Sequence, residues 1–318
     1  MFRLARKLKA AGVLGINKRN ADYILPLNER RYYPLVDDKV LTKKVAQEVG
    51  AAVPELYAII EIHRQIADLP ACVREYQDFV LKPSEGSQGH GILVVTGRTR
   101  NLYRLADGSL IDEAELKFHC SNILSGIYSL GGQPDKAMVE YRVKFDPVFA
   151  RISYQGVPDI RIIVFYGIPV MSMVRLPTRM SHGKANLHQG AIGAGIDIAS
   201  GRTLTAVWRD EVIREHPDTG NPVSGVDIPN WRHLLEISAR SYALTKLAYQ
   251  GIDLVLDEER GPLILELNAR PGLNIQIANR EGLDLRLQSV LSNRERLQTI
   301  DDRVDFARET FRSRYLDG

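Results

Sequence analysis

The sequence predicts an α+β protein built mostly from antiparallel sheets. Three observations carry this. Short β-rich runs are joined through glycine, proline or charged turns, helical patterns fall between them, and the two do not alternate in the regular βαβ rhythm of a doubly wound parallel sheet. With 318 residues, 44% of them apolar and 25% charged, the chain can bury a full core in two or three packed lobes.

The elements follow in order. Residues 1–10 place Leu4 and Leu8 among Arg3, Arg6, Lys7 and Lys9. This pattern predicts a basic amphipathic helix docked on the body, and the same face also suits an anionic membrane surface or a protein partner. A second helix is expected from Asp38, where Leu41, Val45 and Val49 recur every four residues, an Asp is placed to cap the start and Gly50 to end it. Val53 and Pro54 then lead into extended chain. Residues 79–82 and 92–95 read as strands flanking a glycine-rich turn, with further strands at 137–140, 159–165 and 170–174. A helix over 231–250 carries Trp231, Leu235, Tyr242 and Tyr249 near one face. It precedes a hairpin pairing 252–256 with 263–267 around a charged turn, and beyond Leu283 the chain looks helical and polar. The implied organisation is a short N-terminal segment (1–36), a central lobe with the glycine-rich lid (37–136), and a C-terminal lobe with a helical tail (137–318).

A net charge of +3 is too small for this length to indicate nucleic acid. Cys72 and Cys120 lack metal-ligand spacing and suggest neither a disulfide framework nor a structural zinc, so a reducing, cytoplasmic compartment is expected. The apolar run after the first cations, Val13 and Leu14, is far shorter than a signal-peptide core or a membrane span. Oligomeric state is not readable from the sequence.

Two segments carry chemistry. From Lys82 to Gly91 the residues around Gly86, Gly89 and Gly91 are small enough for backbone N–H groups to approach a polyphosphate. Lys82 precedes the glycines and a strand follows them, which excludes both a Walker A loop and a Rossmann turn. On this segment alone a phosphate lid and an ordinary hairpin loop both stay open, and His90 is expected at the surface. The second segment is Glu266-Leu267-Asn268. Strand alternation sends Glu266 and Asn268 to one face while Leu265 and Leu267 enter the core, and Asp253 on the partner strand offers a third oxygen. This hard donor set suits Mg²⁺ rather than zinc. Pro271 and Gly272 turn the chain just beyond, keeping Arg270 beside the proposed metal, where it could neutralise phosphate.

With these residues the chain resembles the ATP-grasp superfamily and, within it, the RimK-like alpha-L-glutamate ligases, especially the glutamate-ligase-related or sugar-transfer-associated branch. The resemblance runs from about Asp37 to about Asn274. It rests on Asp37-Asp38-Lys39, Phe79 to Lys82 with its loop, Asp159-Ile160-Arg161, Asn186 to Gly190, and Glu266 to Gly272. It implies an ATP-grasp fold whose two α+β lobes clasp ATP, with Lys39 and Lys82 binding the phosphates under a lid that includes Ser87 and Gly89. It further implies adenine held at Glu140 and Tyr141 with Val143 nearby, ribose at Asp159, phosphate contacts from Lys184 and Asn186, and Mg²⁺ (with Mn²⁺ as a substitute) on Asp253, Glu266 and Asn268. His188 belongs to the same strip, with a less defined role. RimK-like enzymes carry a full N-terminal lobe, whereas only residues 1–36 precede Asp37 here, so acceptor specificity does not transfer. Asn17, Arg19 and Asn20 are the polar candidates in that segment.

The expected activity is ATP-dependent carboxylate–amine ligation through an acyl phosphate, with small-molecule or peptide carboxylate and amine substrates and glutamate as the first trial. Arg161, Lys184 and Arg270 are the expected catalytic residues, Arg270 at the tetrahedral intermediate. An ATP-binding scaffold without ligase activity and an ATP-grasp phosphotransferase are the alternatives.

Overall fold

The structure is a computed structural model that describes residues 2–48, 50–86, 89–209 and 211–315. Its described residues divide into two compact units, one of Asp38–Lys44 with Val53–Val143 and the other of Met1–Asp37, Val45–Ala52 and Lys144–Gly318. We call the first the lysine unit and the second the carboxylate unit, after their sites.

The lysine unit is an antiparallel sheet of six strands in the order β1-β6-β2-β3-β4-β5. These are β1 (Leu56–Ile60), β2 (Phe79–Pro83), β3 (Leu93–Thr99), β4 (Leu102–Leu105), β5 (Leu110–Ile111) and β6 (Ala137–Glu140). Alternation along β2 and β6 puts Phe79, Leu81, Ala137 and Val139 on one face, where they pack with Leu116, Cys120, Ile123 and Leu124 of a helix spanning Glu113–Leu124. That helix begins with a reciprocal cap, Asp112 accepting from the Glu115 N–H at 2.8 Å and Glu115 from that of Asp112 at 2.9 Å. The same alternation turns Lys82 and Glu140 to the opposite face. β6 lies between β1 and β2, and this compact unit runs to Val143.

The carboxylate unit holds an antiparallel sheet of seven strands in the order β11-β10-β9-β8-β7-β12-β13. They are β7 (Asp159–Phe165), β8 (Ile168–Leu176), β9 (Ile192–Ile196), β10 (Thr203–Trp208), β11 (Glu211–Ile213), β12 (Tyr249–Asp257) and β13 (Gly261–Asn268). Helices at Trp231–Thr245, Ile275–Asn279, Leu283–Asn293 and Ile300–Thr310 pack against its strands. The first of these stops before residue 250 because Lys246 turns left-handed at φ 57°, which frees Tyr249 and Gln250 to start β12.

The N-terminal segment is built into this unit. Tyr23 meets Phe165 edge-on at 5.6 Å, Asn28 exchanges two hydrogen bonds with the Tyr249 backbone, and Arg19 donates to the Pro271 carbonyl at 2.8 Å. The helix at Phe2–Ala10 forms, but Leu4 and Leu8, the face expected to dock on the body, are exposed. The helix at Lys39–Glu48 starts under Asp38, whose Oδ1 accepts from the Val40 N–H at 2.8 Å; Val49, expected to extend its apolar stripe, lies outside the described residues. Among the described residues no helix is long and apolar enough to cross a membrane.

Candidate functional site

In the lysine unit, β2 and β6 pair with Val80 opposite Glu140 and Lys82 opposite Met138, so Lys82 and Glu140 are diagonal neighbours. Their side chains meet at 2.5 Å. Lys43, one helical turn beyond Lys39, reaches the same carboxylate at 2.9 Å from Oε2, an ion-pair contact rather than an aligned hydrogen bond, and also donates to the Pro54 carbonyl. All three side chains are at most 6% exposed. Burial works against the Glu140 charge, but Lys82 and Lys43 outweigh it and hold the carboxyl below its ordinary range. Burial also pulls the Lys43 ammonium down to about 8 despite Glu140.

Lys39 sits at the base of the glycine-rich loop, its ammonium donating to the carbonyls of Gly86 at 2.7 Å and Ser84 at 3.2 Å. The loop base is fixed by Asp38, which accepts from Ser84 Oγ at 2.6 Å and Lys136 Nζ at 3.0 Å, and by Asp135, which accepts from the Glu85 N–H at 3.0 Å. Its far end is anchored where His119 Nε2 lies 2.9 Å from the Gly91 carbonyl. Gly89 is half-buried and His90 is exposed, as expected. Ser87 lies outside the described residues. Tyr141 and Val143 follow β6 and are buried, Tyr141 donating its N–H to the Glu55 carbonyl at 2.8 Å.

In the carboxylate unit, register aligns Arg161, Asp253 and Glu266 across β7, β12 and β13, with Asp159 opposite Arg175 on β8. A β-bulge leaves Leu265 unmatched between Glu266 and Ile264, so Leu265 is half-buried rather than in the core. Asn268 faces Gly251, where an added Cβ would meet Pro271 Cβ at 2.7 Å; only glycine lets the turn after Asn268 lie this close. Arg161 grips Asp253 with two bonds of 2.7 and 2.6 Å, and Arg175 bridges Asp159, at 2.5 and 2.6 Å, to Asp253 Oδ2 at 2.7 Å. Asn268 Nδ2 adds a bond of 3.2 Å to the same oxygen.

These contacts split the two aspartates. Burial opposes the Asp253 charge, yet Arg161 and Arg175 prevail and hold its carboxyl down at about 2. At Asp159 burial, helped by the Asp253 charge, prevails over Arg175 and pushes the carboxyl up to about 6.

Of the other expected residues, Arg270 is exposed and stacks 5.7 Å over the Tyr33 ring, Lys184 is exposed, and Asn186 accepts from the His188 N–H at 3.0 Å to cap a short 3₁₀ turn. Among the described residues no three His, Cys, Asp or Glu side chains group to hold a metal. Lys43 and Arg175 were not anticipated. Lys43 carried one available signal, its i,i+4 spacing from Lys39; Arg175 carried none until β7 and β8 were paired.

Two antiparallel α+β units, one with buried lysines and a glycine-rich loop and one whose sheet has an acid–amide strand at its edge, are the architecture of an ATP-grasp protein. The family model for sugar-transfer associated ATP-grasp proteins matches residues 18–292, and the chain belongs to that family. No curated protein matches it. Among solved structures it is similar to the ATP-grasp ligase PsnB complexed with minimal precursor (14% identity, 85% of this chain and 63% of that one, TM-score 0.43). It is also similar to a D-alanine–D-alanine ligase from Bacillus anthracis (14%, 83% and 69%, 0.45). A third likeness is to a Chryseobacterium gregarium RiPP-associated ATP-grasp ligase in complex with ADP and a leader and core peptide (11%, 84% and 63%, 0.45). The chain thus spans less than two thirds of the PsnB chain.

Proposed function

We propose that this protein is an ATP-dependent carboxylate–amine ligase of the cytoplasm, nearest in chemistry to RimK-like enzymes. A substrate carboxylate would attack the γ-phosphate of ATP, releasing ADP and forming an acyl phosphate; an amine would then displace phosphate and leave an amide. The observation that carries the reading is the row of Asp253 and Glu266 with Asn268 on one sheet face beside two arginines, within a chain of the ATP-grasp family.

The residues fit Mg²⁺, and Mn²⁺ as its substitute. Asp253 and Glu266 stand directly opposite each other and, with the Asn268 amide, offer only hard oxygens. Asp253 Oδ2 already accepts three donors, but Oδ1 accepts one and keeps a lone pair for a metal. When bound, the ion would polarise phosphate oxygens and offset their charge. Lys39, Lys82 and the backbone of the lid would bind phosphate, Glu140, Tyr141 and Val143 the adenine, and Asp159 the ribose. Arg161, Lys184 and Asn186 would neutralise the transferred group, and Arg270 would steady the tetrahedral intermediate. The reaction needs no side-chain nucleophile, so its rate would come from positioning and electrostatics.

The arginine grip on Asp253 gives the scaffold reading its one support, since it satisfies the carboxylate without metal. Phosphate release from Mg-ATP separates the readings. A ligase releases phosphate only with an acceptor and carboxylate present, and mass spectrometry finds an amide. A phosphotransferase yields a phosphorylated product; tight ATP binding with no turnover across amino acid, peptide and amino-sugar pools overturns the proposal in favour of a scaffold.

A further inference from the structure

The carboxylate unit contains a cavity of about 270 Å³ that no role above uses, lined by Met180, Leu187, Ala191, Val207 and Ile277 with Arg209, His188 and Asn274. Its wall is preformed. The Gly190 carbonyl accepts from Thr178 Oγ1 and from Trp208 Nε1, each at 2.8 Å, and Thr178 and Ser181 bond each other's backbone N–H. Gly190 itself sits at φ 101° with Met180 folded over it so closely that a Cβ would meet Met180 Cγ at 2.8 Å. The helix at Ile275–Asn279, which carries Ile277, is pinned by Asn279 Nδ2 donating to the Ser172 carbonyl at 2.8 Å.

The lining is mixed. Five of its nine residues carry apolar side chains, and among the described residues Arg209 is the one permanent charge and no Asp or Glu takes part. The volume is below that of a drug-sized pocket and suits a single amino-acid side chain. A ligand carrying a carboxylate and a short apolar chain is therefore matched on both counts, whereas an ammonium finds no counter-ion among the described lining residues. An amine acceptor must attack as the free base, so a site that leaves its ammonium unpaired does not hold it in the unreactive form.

We propose that this cavity is the acceptor site and that it takes an apolar α-amino acid, the side chain among Leu187, Val207 and Ile277 and the carboxylate on Arg209. This rests on the ligase reading for the word acceptor, but not for the binding itself.

Calorimetry on the full chain without nucleotide tests it. The probes are leucine, leucinamide, 4-methylpentanoate, glutamate, and the linear series from alanine to norleucine. Leucine and 4-methylpentanoate should bind alike, leucinamide about tenfold more weakly for want of the charged pair, and the linear series should gain about fourfold per methylene until the cavity fills. Arg209→Gln, at an exposed side chain, should weaken leucine to the level of leucinamide and leave leucinamide unchanged. Ile277→Asp, also at an exposed position, should abolish leucine binding. Leucinamide binding as well as leucine, glutamate binding better than leucine, or affinity that ignores chain length overturns the proposal. The two readings fail separately. Leucine bound in this pattern, with Mg-ATP never turned over, would sink the ligase and leave the cavity assigned; phosphate release with another amine and no leucine binding would do the reverse.

Discussion

The two units bury charge in opposite proportions. In the lysine unit two ammoniums surround one carboxylate; in the carboxylate unit three carboxylates surround two guanidiniums. In the first cluster the ammoniums outnumber the carboxylate, with Lys43 also donating to the Pro54 carbonyl, and on the proposed ligase reading it would receive an anion. The second presents hard carboxylate oxygens, which on the proposed ligase reading would take a cation. Buried ion pairs of this kind contribute little net stability, because desolvation offsets most of their attraction.

Breaking the lysine cluster at its single anion should produce the largest effect. Glu140→Ala leaves two buried ammoniums unpaired and should cost about 3–5 kcal/mol in urea unfolding at neutral pH. The loss should shrink in alkali. With Glu140 gone, the folded-state pKa of Lys43 falls below its present value of about 8, further from the 10.5 of the unfolded chain. Between those two values the unfolded state holds the extra proton, so the variant's stability rises with pH. A loss that is small, or that does not change between pH 7 and 9, would show that the lysines do not depend on Glu140.

Breaking the carboxylate cluster at Glu266 should separate function from fold. Glu266→Gln keeps the volume and, on the proposed metal role, should lower Mg-ATP turnover by about a hundredfold, near 3 kcal/mol of transition-state stabilisation, while thermal unfolding stays close to that of the parent. Unchanged turnover would remove Glu266 from the site. Asp253→Asn should lose both turnover and stability, because it also strips Arg161 and Arg175 of their shared partner. The contrast between these two substitutions is the sharper measurement.

How much of this was legible in the sequence follows the range of the interactions involved. The strands at 79–83, 159–165 and 261–268 and the hairpin joining the last of these to β12 are local patterns, and they read directly. The placement of β6 between β1 and β2 is a long-range pairing, which a linear reading does not reveal. The helix at 231–245 was read too long because Tyr249 continues its apolar period while belonging to a strand. In the sites, Lys82, Asp253, Glu266 and Asn268 stood out through motif spacing. What Glu140 and Asp253 bond to could not be read, because Lys43 reaches Glu140 from a distant helix and Arg175 reaches Asp253 diagonally across β7.

The subtlest difference between the clusters lies in their titration. Asp159 rises from 3.8 to about 6, so as pH climbs through that window the unfolded chain releases this proton before the folded chain does. The folded state then holds more protons than the unfolded one, and this group lowers stability with rising pH between about pH 4 and 6. Asp253, depressed to about 2, acts in the opposite sense, and its contribution is complete above its ordinary value and lost only as pH falls toward 2. Asp159→Asn should therefore remove a downward slope from the pH 4–6 limb of the urea stability profile and leave the limb below pH 4, where Asp253 titrates, in place. A carboxyl carbon resonance titrating near 6 in the parent and missing from the variant would assign that slope to Asp159. If Asp159 instead titrates with the ordinary carboxylates, Arg175 compensates both aspartates fully, and the asymmetry between them disappears.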